Sequence, residues 1–151
     1  MATFKTFEEI DAWIKARELT QRVYELTRHK PFARDFVLRD QLRRASVSIM
    51  SNIAEGFGRS GRKEFIQFLS MALGSTNEVC SQLYVALDQK YIDKDDFNSL
   101  NSLTQETANL IGGLLRYLRS SELKGRKFVP PNPPPEPGTK NPKPRTTNPE
   151  L

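Results

Sequence analysis

Residues 65–86, FIQFLSMALGSTNEVCSQLYVA, repeat apolar or small side chains at alternating steps of four and three residues. The repeating positions are Phe65, Leu69, Ala72, Thr76, Val79, Leu83 and Ala86. Such a spacing keeps one seam of an α-helix against a partner helix, which is typical of bundles whose helices cross at about 20°. The same steps recur farther along, at Phe97, Leu100, Thr104, Thr107, Ile111, Leu114 and Leu118. These residues predict two long helices that pack in a bundle.

Two further helices are predicted upstream of this pair. The apolar positions of the first are Ile10, Trp13, Ala16, Val23 and Leu26, and those of the second include Leu42, Ala45, Ile49 and Ile53. Thr6 and Glu9 have the spacing of a capping box before the first helix, and Pro31 ends it. Asp35 and Asp93 are candidate N-caps of the second and fourth helices. Strand signals are absent, so we predict an all-α, antiparallel up-down-up-down four-helix bundle over residues 4–128.

The last 23 residues have a different composition. Nine of the ten prolines lie at or after Pro130, and this stretch contains no aromatic residue. It offers too little apolar area to offset the entropy of ordering it, so residues 129–151 are predicted to be a flexible, proline-rich tail. Cys80 is the only cysteine and no run of 18 apolar residues occurs, so we expect a cytoplasmic protein without a membrane partner.

Charge is distributed unevenly along the chain, whose formal net charge is +5. Residues 28–63 contain nine Lys and Arg against three acids, whereas residues 64–115 contain two against seven. Basic and acidic surfaces on one small domain favour either binding of a polyanion or self-association through opposite charges. A scattered, solvated charge distribution remains the simpler alternative.

Residues 56–61, GFGRSG, match the spacing G-x-G-x-x-G of a dinucleotide-binding turn. That site needs a strand before the first glycine, and here Gly56 instead ends the helical period of Ile49 and Ile53. We therefore reject the nucleotide site and predict a turn between the second and third helices. In this interpretation Gly56 is a left-handed C-cap and Ser60 caps the next helix.

The same turn carries Arg59, Arg62 and Lys63 at the predicted start of the third helix. Free backbone N–H groups and the helix dipole already favour an anion at that position, so three cations there predict a phosphate-binding site. The alternative is that Glu55 and Glu64, or acids of a neighbouring chain, neutralise the cluster.

Two features point to an oligomer. The second predicted helix has a stripe of polar and small side chains, which includes Gln41, Ser48, Asn52 and Glu55 and would let a partner backbone approach closely. Gly112 and Gly113 lie in the middle of the fourth helix, where each costs about 1 kcal/mol of helix propensity relative to alanine. Close packing against another backbone would offset this cost, although solvation of the stripe is an open alternative.

No pattern in the sequence indicates catalysis. His29 is isolated at the end of the first helix, and Cys80 lies beside the core stripe without a histidine on its helix. Metal-ligand spacings are absent. We therefore predict a protein that is not an enzyme and has no catalytic residues, no metal site and no cofactor.

The segment QLRRASVSIMSNIAEGFGRSGRKEFIQFLSMALGSTNEV, residues 41–79, resembles the core of the four-helix-bundle proteins encoded in intervening sequences of bacterial 23S ribosomal RNA genes. The resemblance extends to FEEIDAWIKARELTQRVYELT, residues 7–27, and covers residues 4 to about 120. The resemblance implies a homopentameric barrel with a basic surface and a role in binding nucleic acid. A similar relative is the accessory variability protein of diversity-generating retroelements, which works with a reverse transcriptase. Residues 29–41, HKPFARDFVLRDQ, depart from the usual pattern of the family.

Together these features predict a non-enzymatic, homo-oligomeric bundle that binds RNA or DNA through a basic surface. The predicted nucleic-acid contacts are Arg43, Arg44, Arg59, Arg62 and Lys63. The predicted oligomer interface comprises Gln41, Ser48, Asn52, Glu55, Gly112 and Gly113. The alternative function is a protein-interaction scaffold, or an accessory subunit of a reverse transcriptase in a diversity-generating retroelement.

Overall fold

The computed structural model describes residues 4–127, and the side chains of residues 4–121. Four α-helices form this part of the chain: α1 (Asp11–Thr27), α2 (Phe36–Gly58), α3 (Arg62–Asp88) and α4 (Lys94–Lys127). Short 3₁₀ turns at Phe7–Glu9 and Phe32–Arg34 precede α1 and α2. The predicted proline-rich tail lies outside the described residues.

The four helices form a closed bundle. Each helix packs on the next one in sequence, and α1 also packs on α4. The connections are short, at residues 28–35, 59–61 and 89–93, so consecutive helices run antiparallel. The described residues contain no strand. The predicted all-α, up-down-up-down architecture is therefore confirmed.

The core consists largely of the stripes that define the helices in the sequence. On α3 the buried positions include Leu69, Ala72, Thr76, Val79, Leu83 and Ala86. On α4 two core positions are threonines, and the hydroxyl groups of Thr104 and Thr107 donate to the carbonyls of Leu100 and Leu103 one turn earlier. Because these hydroxyl groups find partners within their own helix, they can be buried without an unsatisfied donor.

The predicted caps of the helices are partly correct. Asp35 Oδ1 accepts from the Leu38 amide at 3.1 Å, and Asp93 Oδ1 accepts from the Asp96 amide at 2.7 Å, so both N-caps are confirmed. The capping box before α1 is wrong: Thr6 makes no side-chain cap bond and Glu9 accepts from the Lys5 amide instead. Helix α1 begins at Asp11, after the 3₁₀ turn, and the extended residue before it, Ile10, is buried in the core.

Two predictions for the glycine-rich turn are also wrong. Helix α2 continues through Gly56 to Gly58, and the N-cap of α3 is Gly61 rather than Ser60. Gly56 is buried, and a Cβ atom at this position would lie 2.6 Å from the Cβ atom of Phe68. The glycine is therefore needed for close packing of α2 on α3 and not for a left-handed conformation.

Candidate nucleic-acid interface

The turn between α2 and α3 brings together three of the five predicted nucleic-acid contacts. Arg59 follows the end of α2, and its Nη2 atom lies 2.9 Å from Oε1 of Glu55. The same guanidinium lies 5.5 Å from the ring centroid of Phe68. Arg59 is thus partly neutralised within its own chain, as the alternative interpretation, in which Glu55 neutralises the cluster, predicts for this residue.

Arg62 and Lys63 are in a different situation. Both are exposed in the first turn of α3. Within the described part of the chain, neither forms an ion pair with a carboxylate within 4 Å. The N-cap residue Gly61 supplies no side-chain acceptor for the first amides of α3. Two exposed cations therefore lie at the positive end of a helix without a side-chain N-cap, an arrangement that can bind a phosphate. The Glu64 carboxylate lies near the same helix end, since its Oε2 atom would be 3.9 Å from a Cβ atom at Gly61.

Arg43 and Arg44 do not belong to this cluster. They precede Arg59 by about 15 residues on one helix, which places them roughly 20 Å away along its axis. The Arg43 guanidinium donates from Nε to Oγ1 of Thr27 at 2.8 Å and lies 4.6 Å from the ring centroid of Tyr24. Arg43 therefore fastens α1 to α2, whereas Arg44 is exposed at a groove between α2 and α3.

This groove, which we call the α2–α3 groove, has a volume of about 470 Å³. Its lining residues are Gln41, Arg44, Ala45, Ser48, Glu78 and Gln82. Ser48 Oγ lies 3.0 Å from Ser75 Oγ, and Asn52 Nδ2 donates to the Ser48 carbonyl at 2.9 Å. The Oε1 atom of Gln82 is buried and, among the described residues, has no hydrogen-bond partner. A buried acceptor without a hydrogen bond costs free energy, so a partner that donates a hydrogen bond in this groove would be favoured.

The predicted interface residues lie on two sides of the bundle. Gln41 and Ser48 line the α2–α3 groove, and Asn52 and Glu55 continue the same stripe of α2 toward the turn. Gly113 lines a separate groove of about 230 Å³ between α4 and the start of α1. Because α2–α3 and α4–α1 are opposite edges of a closed bundle, these two sets of residues face in opposite directions. A Cβ atom at Gly112 would meet only the Arg116 guanidinium, at 3.5 Å.

Sequence reasoning missed the exposure of two apolar residues at the start of α2. Phe36 is 63 % exposed and Val37 is 71 % exposed, although both belong to a helix whose other apolar residues are mostly buried. Helical periodicity alone could not identify them, because it groups apolar residues into a stripe without showing which positions another helix covers. The departure of residues 29–41 from the usual family pattern does not indicate which side chains of this segment are exposed.

Cys80, the potential metal ligands and the hydrophobicity of the helices provide little evidence for a further functional site in the described residues. Burial raises the pKa of the Cys80 thiol, against the opposing effect of a hydrogen bond from Gln105 to its Sγ. A raised pKa reduces the thiolate fraction and hence the nucleophilicity of the group. Within residues 4–121, His, Cys, Asp and Glu side chains form no group of three that could hold a metal ion. In the described part of the chain, the helices are too short or too polar to cross a membrane.

Fold and surface together define an antiparallel four-helix bundle with a basic turn. The model of the 23S rRNA-intervening sequence protein family matches residues 8–113, so the chain belongs to that family. The chain is also similar to a solved structure from the S23 ribosomal protein family of Bacteroides thetaiotaomicron VPI-5482, with 26 % identity and a TM-score of 0.64. That similarity covers 69 % of this chain and 97 % of the other. Comparison with curated proteins gives no match. The resemblance to the intervening-sequence family is therefore confirmed.

Proposed function

We propose that this protein is a non-enzymatic, homo-oligomeric helical bundle that binds RNA or DNA through a basic surface. The observation that carries the proposal is the state of Arg62 and Lys63. Both are exposed at the N-terminal turn of α3, and among the described residues neither has an acidic partner within 4 Å. Cations that are held near free amides and lack internal partners are available for an external phosphate.

The chemistry of the two side chains suits a polyanion. An arginine guanidinium can bind two phosphate oxygens at once, and a lysine ammonium supplies a point charge beside it. Each phosphate that these groups neutralise releases condensed counterions, so a small number of contacts produces binding at low salt. Such contacts position a nucleic acid without reading its sequence.

A matched pair of double variants tests this site. Arg62→Ala with Lys63→Ala removes two charges at the turn, and Arg17→Ala with Lys94→Ala removes two exposed charges elsewhere. We expect the first pair to weaken binding of a fluorescent 20-nucleotide RNA about tenfold at 50 mM salt, and the control pair to weaken it less than threefold. Equal losses in the two pairs would mean that net charge, and not this turn, governs binding.

We also propose that the bundle assembles into a closed ring, for which the family resemblance implies five subunits. Supporting this, the predicted interface residues lie on opposite edges, α2–α3 and α4–α1. Contacts between two different edges are head-to-tail, and such contacts close into rings when the rotation allows. Such contacts would leave the α1–α2 face and the α3–α4 face of every subunit on opposite sides of the ring.

Gly112→Ala tests the assembly, because nothing but the flexible Arg116 side chain crowds this position within the chain. In an isolated bundle the substitution adds about 1 kcal/mol of helix propensity and raises stability. If a neighbouring backbone packs there, the added methyl group reduces the mass measured by light scattering instead. A wild-type protein that is monomeric by light scattering would contradict the proposed ring. In that case the α2–α3 groove, with its unpaired Gln82 oxygen, would be available to bind a different protein, such as a reverse transcriptase.

A further inference from the structure

The first turn of α2 presents an aromatic ring that is exposed and yet held in place. Phe36 is 63 % exposed, and the Arg39 guanidinium lies 4.8 Å from its ring centroid. Arg39 is itself fixed, because its Nη1 atom donates to the Ala33 carbonyl at 3.1 Å and its Nε atom to Asp40 at 2.9 Å. The Arg39 guanidinium, held by these hydrogen bonds, therefore covers one face of the Phe36 ring, and the exposed area belongs to the rest of the ring. The aromatic platform is organised before any ligand arrives.

The residues that lead to this ring are mostly basic, and residues 28–34 contain no acid. Residues 28–34, RHKPFAR, carry Arg28, Lys30 and Arg34, and all three are exposed. In the described part of the chain these cations form no ion pair within 4 Å. The nearest acid on the C-terminal side, Asp35, is already occupied as the N-cap of α2 and as the acceptor of a hydrogen bond from Tyr91. Three cations without an ion pair among the described residues thus precede the exposed ring by two to eight residues in the chain.

We propose that the connection between α1 and α2 binds an unpaired stretch of RNA or DNA. One base stacks on Phe36, and the backbone phosphates contact Arg28, Lys30 and Arg34. The inference rests on the proposed nucleic-acid binding and goes beyond it by naming a second surface and a preference for single strands. An aromatic face is useful only to a base that has left its stack, whereas a duplex offers the protein phosphates and groove edges.

Charge argues for this occupant over a protein helix. A protein helix could make an apolar contact with Phe36 and Val37. The three cations would then lose water without compensation, unless the docked helix supplied acids to pair with them. A single strand satisfies both parts of the surface, since it alternates a flat apolar face with a negative charge. Val37, 71 % exposed in the same turn, offers apolar area without a π-system and is therefore a matched control.

The experiment uses the full chain and three fluorescent probes: a 15-nucleotide oligouridine, a 15-nucleotide oligothymidine and a 15-base-pair RNA duplex. We expect Phe36→Ala to weaken binding of both single strands about 5- to 100-fold and binding of the duplex less than twofold. Phe36→Trp should restore single-strand binding, and Val37→Ala should leave it within twofold of wild type. Replacing Arg28, Lys30 and Arg34 with alanine should reduce the salt slope for single strands by about 2 for each engaged subunit.

The outcomes separate this inference from the proposal on which it rests. If the wild-type protein binds the probes and Phe36→Ala does not change single-strand binding, the stacking site is wrong and the proposed function stands. An equal loss in Val37→Ala would identify a general apolar contact and would also overturn stacking. If the wild-type protein retains no probe at low salt, the proposed function fails and the single-strand site fails with it.

Discussion

The two connections at the ends of α2 are both basic, but they are held in opposite ways. The α2–α3 turn, residues 59–61, is short and follows directly from a tight crossing, in which Gly56 lies against Phe68. The α1–α2 connection, residues 28–35, is longer and is fastened by a side chain that enters the core. Phe32 is 1 % exposed, and its ring stacks on that of Tyr91 at 5.1 Å.

This difference shows how a basic surface can be positioned by local or by distant contacts. At the α2–α3 turn, Arg59 pairs with Glu55 only four residues earlier, and Arg62 and Lys63 lie in the first turn of α3. In the α1–α2 connection, the fixing partner Tyr91 is 56 residues beyond Asp35, to which its hydroxyl donates at 3.0 Å. Substitutions should therefore affect the two connections by different mechanisms.

The largest effect is expected at the anchor of the α1–α2 connection. Phe32→Ala should lower the free energy of unfolding by about 4 kcal/mol, because it leaves a cavity in place of a fully buried ring. Phe36→Ala, at the start of α2, is the control, and its effect should stay within about 0.5 kcal/mol since the ring is exposed. Urea denaturation monitored by circular dichroism measures both values. Similar losses in the two variants would contradict the anchoring role of Phe32.

The next effect concerns the crossing at the α2–α3 turn. Gly56→Ala should destabilise the protein by about 2 kcal/mol, because the new methyl group would meet the Cβ atom of Phe68, which no rotamer change can move. Gly58→Ala is the matched control, since a Cβ atom there meets nothing within 4 Å. It should raise stability by a few tenths of a kcal/mol through helix propensity. Equal signs for the two glycines would show that the crossing is not as close as described.

A smaller effect is expected at the N-cap of α2. Asp35→Ala should cost about 1 kcal/mol, because the Leu38 amide loses its acceptor. Asp35→Asn keeps a side-chain oxygen at the cap and should recover most of that loss. Thermal unfolding of the two variants decides the question: equal melting temperatures would indicate that the carboxylate charge matters more than the cap.

The smallest effect is a dependence on pH in the alkaline range. The hydrogen bond to Asp35, followed by burial, raises the pKa of the Tyr91 hydroxyl above its ordinary value of 10.0. A raised pKa in the folded state means that the stabilisation is complete below pH 10 and is lost as the pH rises through the folded value. Wild-type stability should thus fall above pH 10 more steeply than that of Tyr91→Phe. Parallel pH profiles would rule out this coupling.

Much of the fold could be predicted from the sequence because its signals are local. The four-and-three steps of α3 and α4 and the caps at Asp35 and Asp93 depend on neighbours within a turn or two. The role of Gly56 could not be predicted, because the reason for a glycine there is a phenylalanine on another helix. The same holds for Arg43, whose partners Tyr24 and Thr27 are on α1. Only the three-dimensional structure distinguishes Arg43 from a cation such as Arg62, which has no ion pair within 4 Å among the described residues.

The most direct test of the central claim, that a basic surface of this protein binds nucleic acid, is a salt titration of the wild-type chain. Fluorescence anisotropy of a 20-nucleotide RNA is measured from 25 to 300 mM NaCl. We predict binding at the lowest salt and a linear fall of log K with log salt, with a slope of about −0.7 for each phosphate neutralised. No binding at 25 mM NaCl, or an affinity that does not change with salt, would contradict the claim.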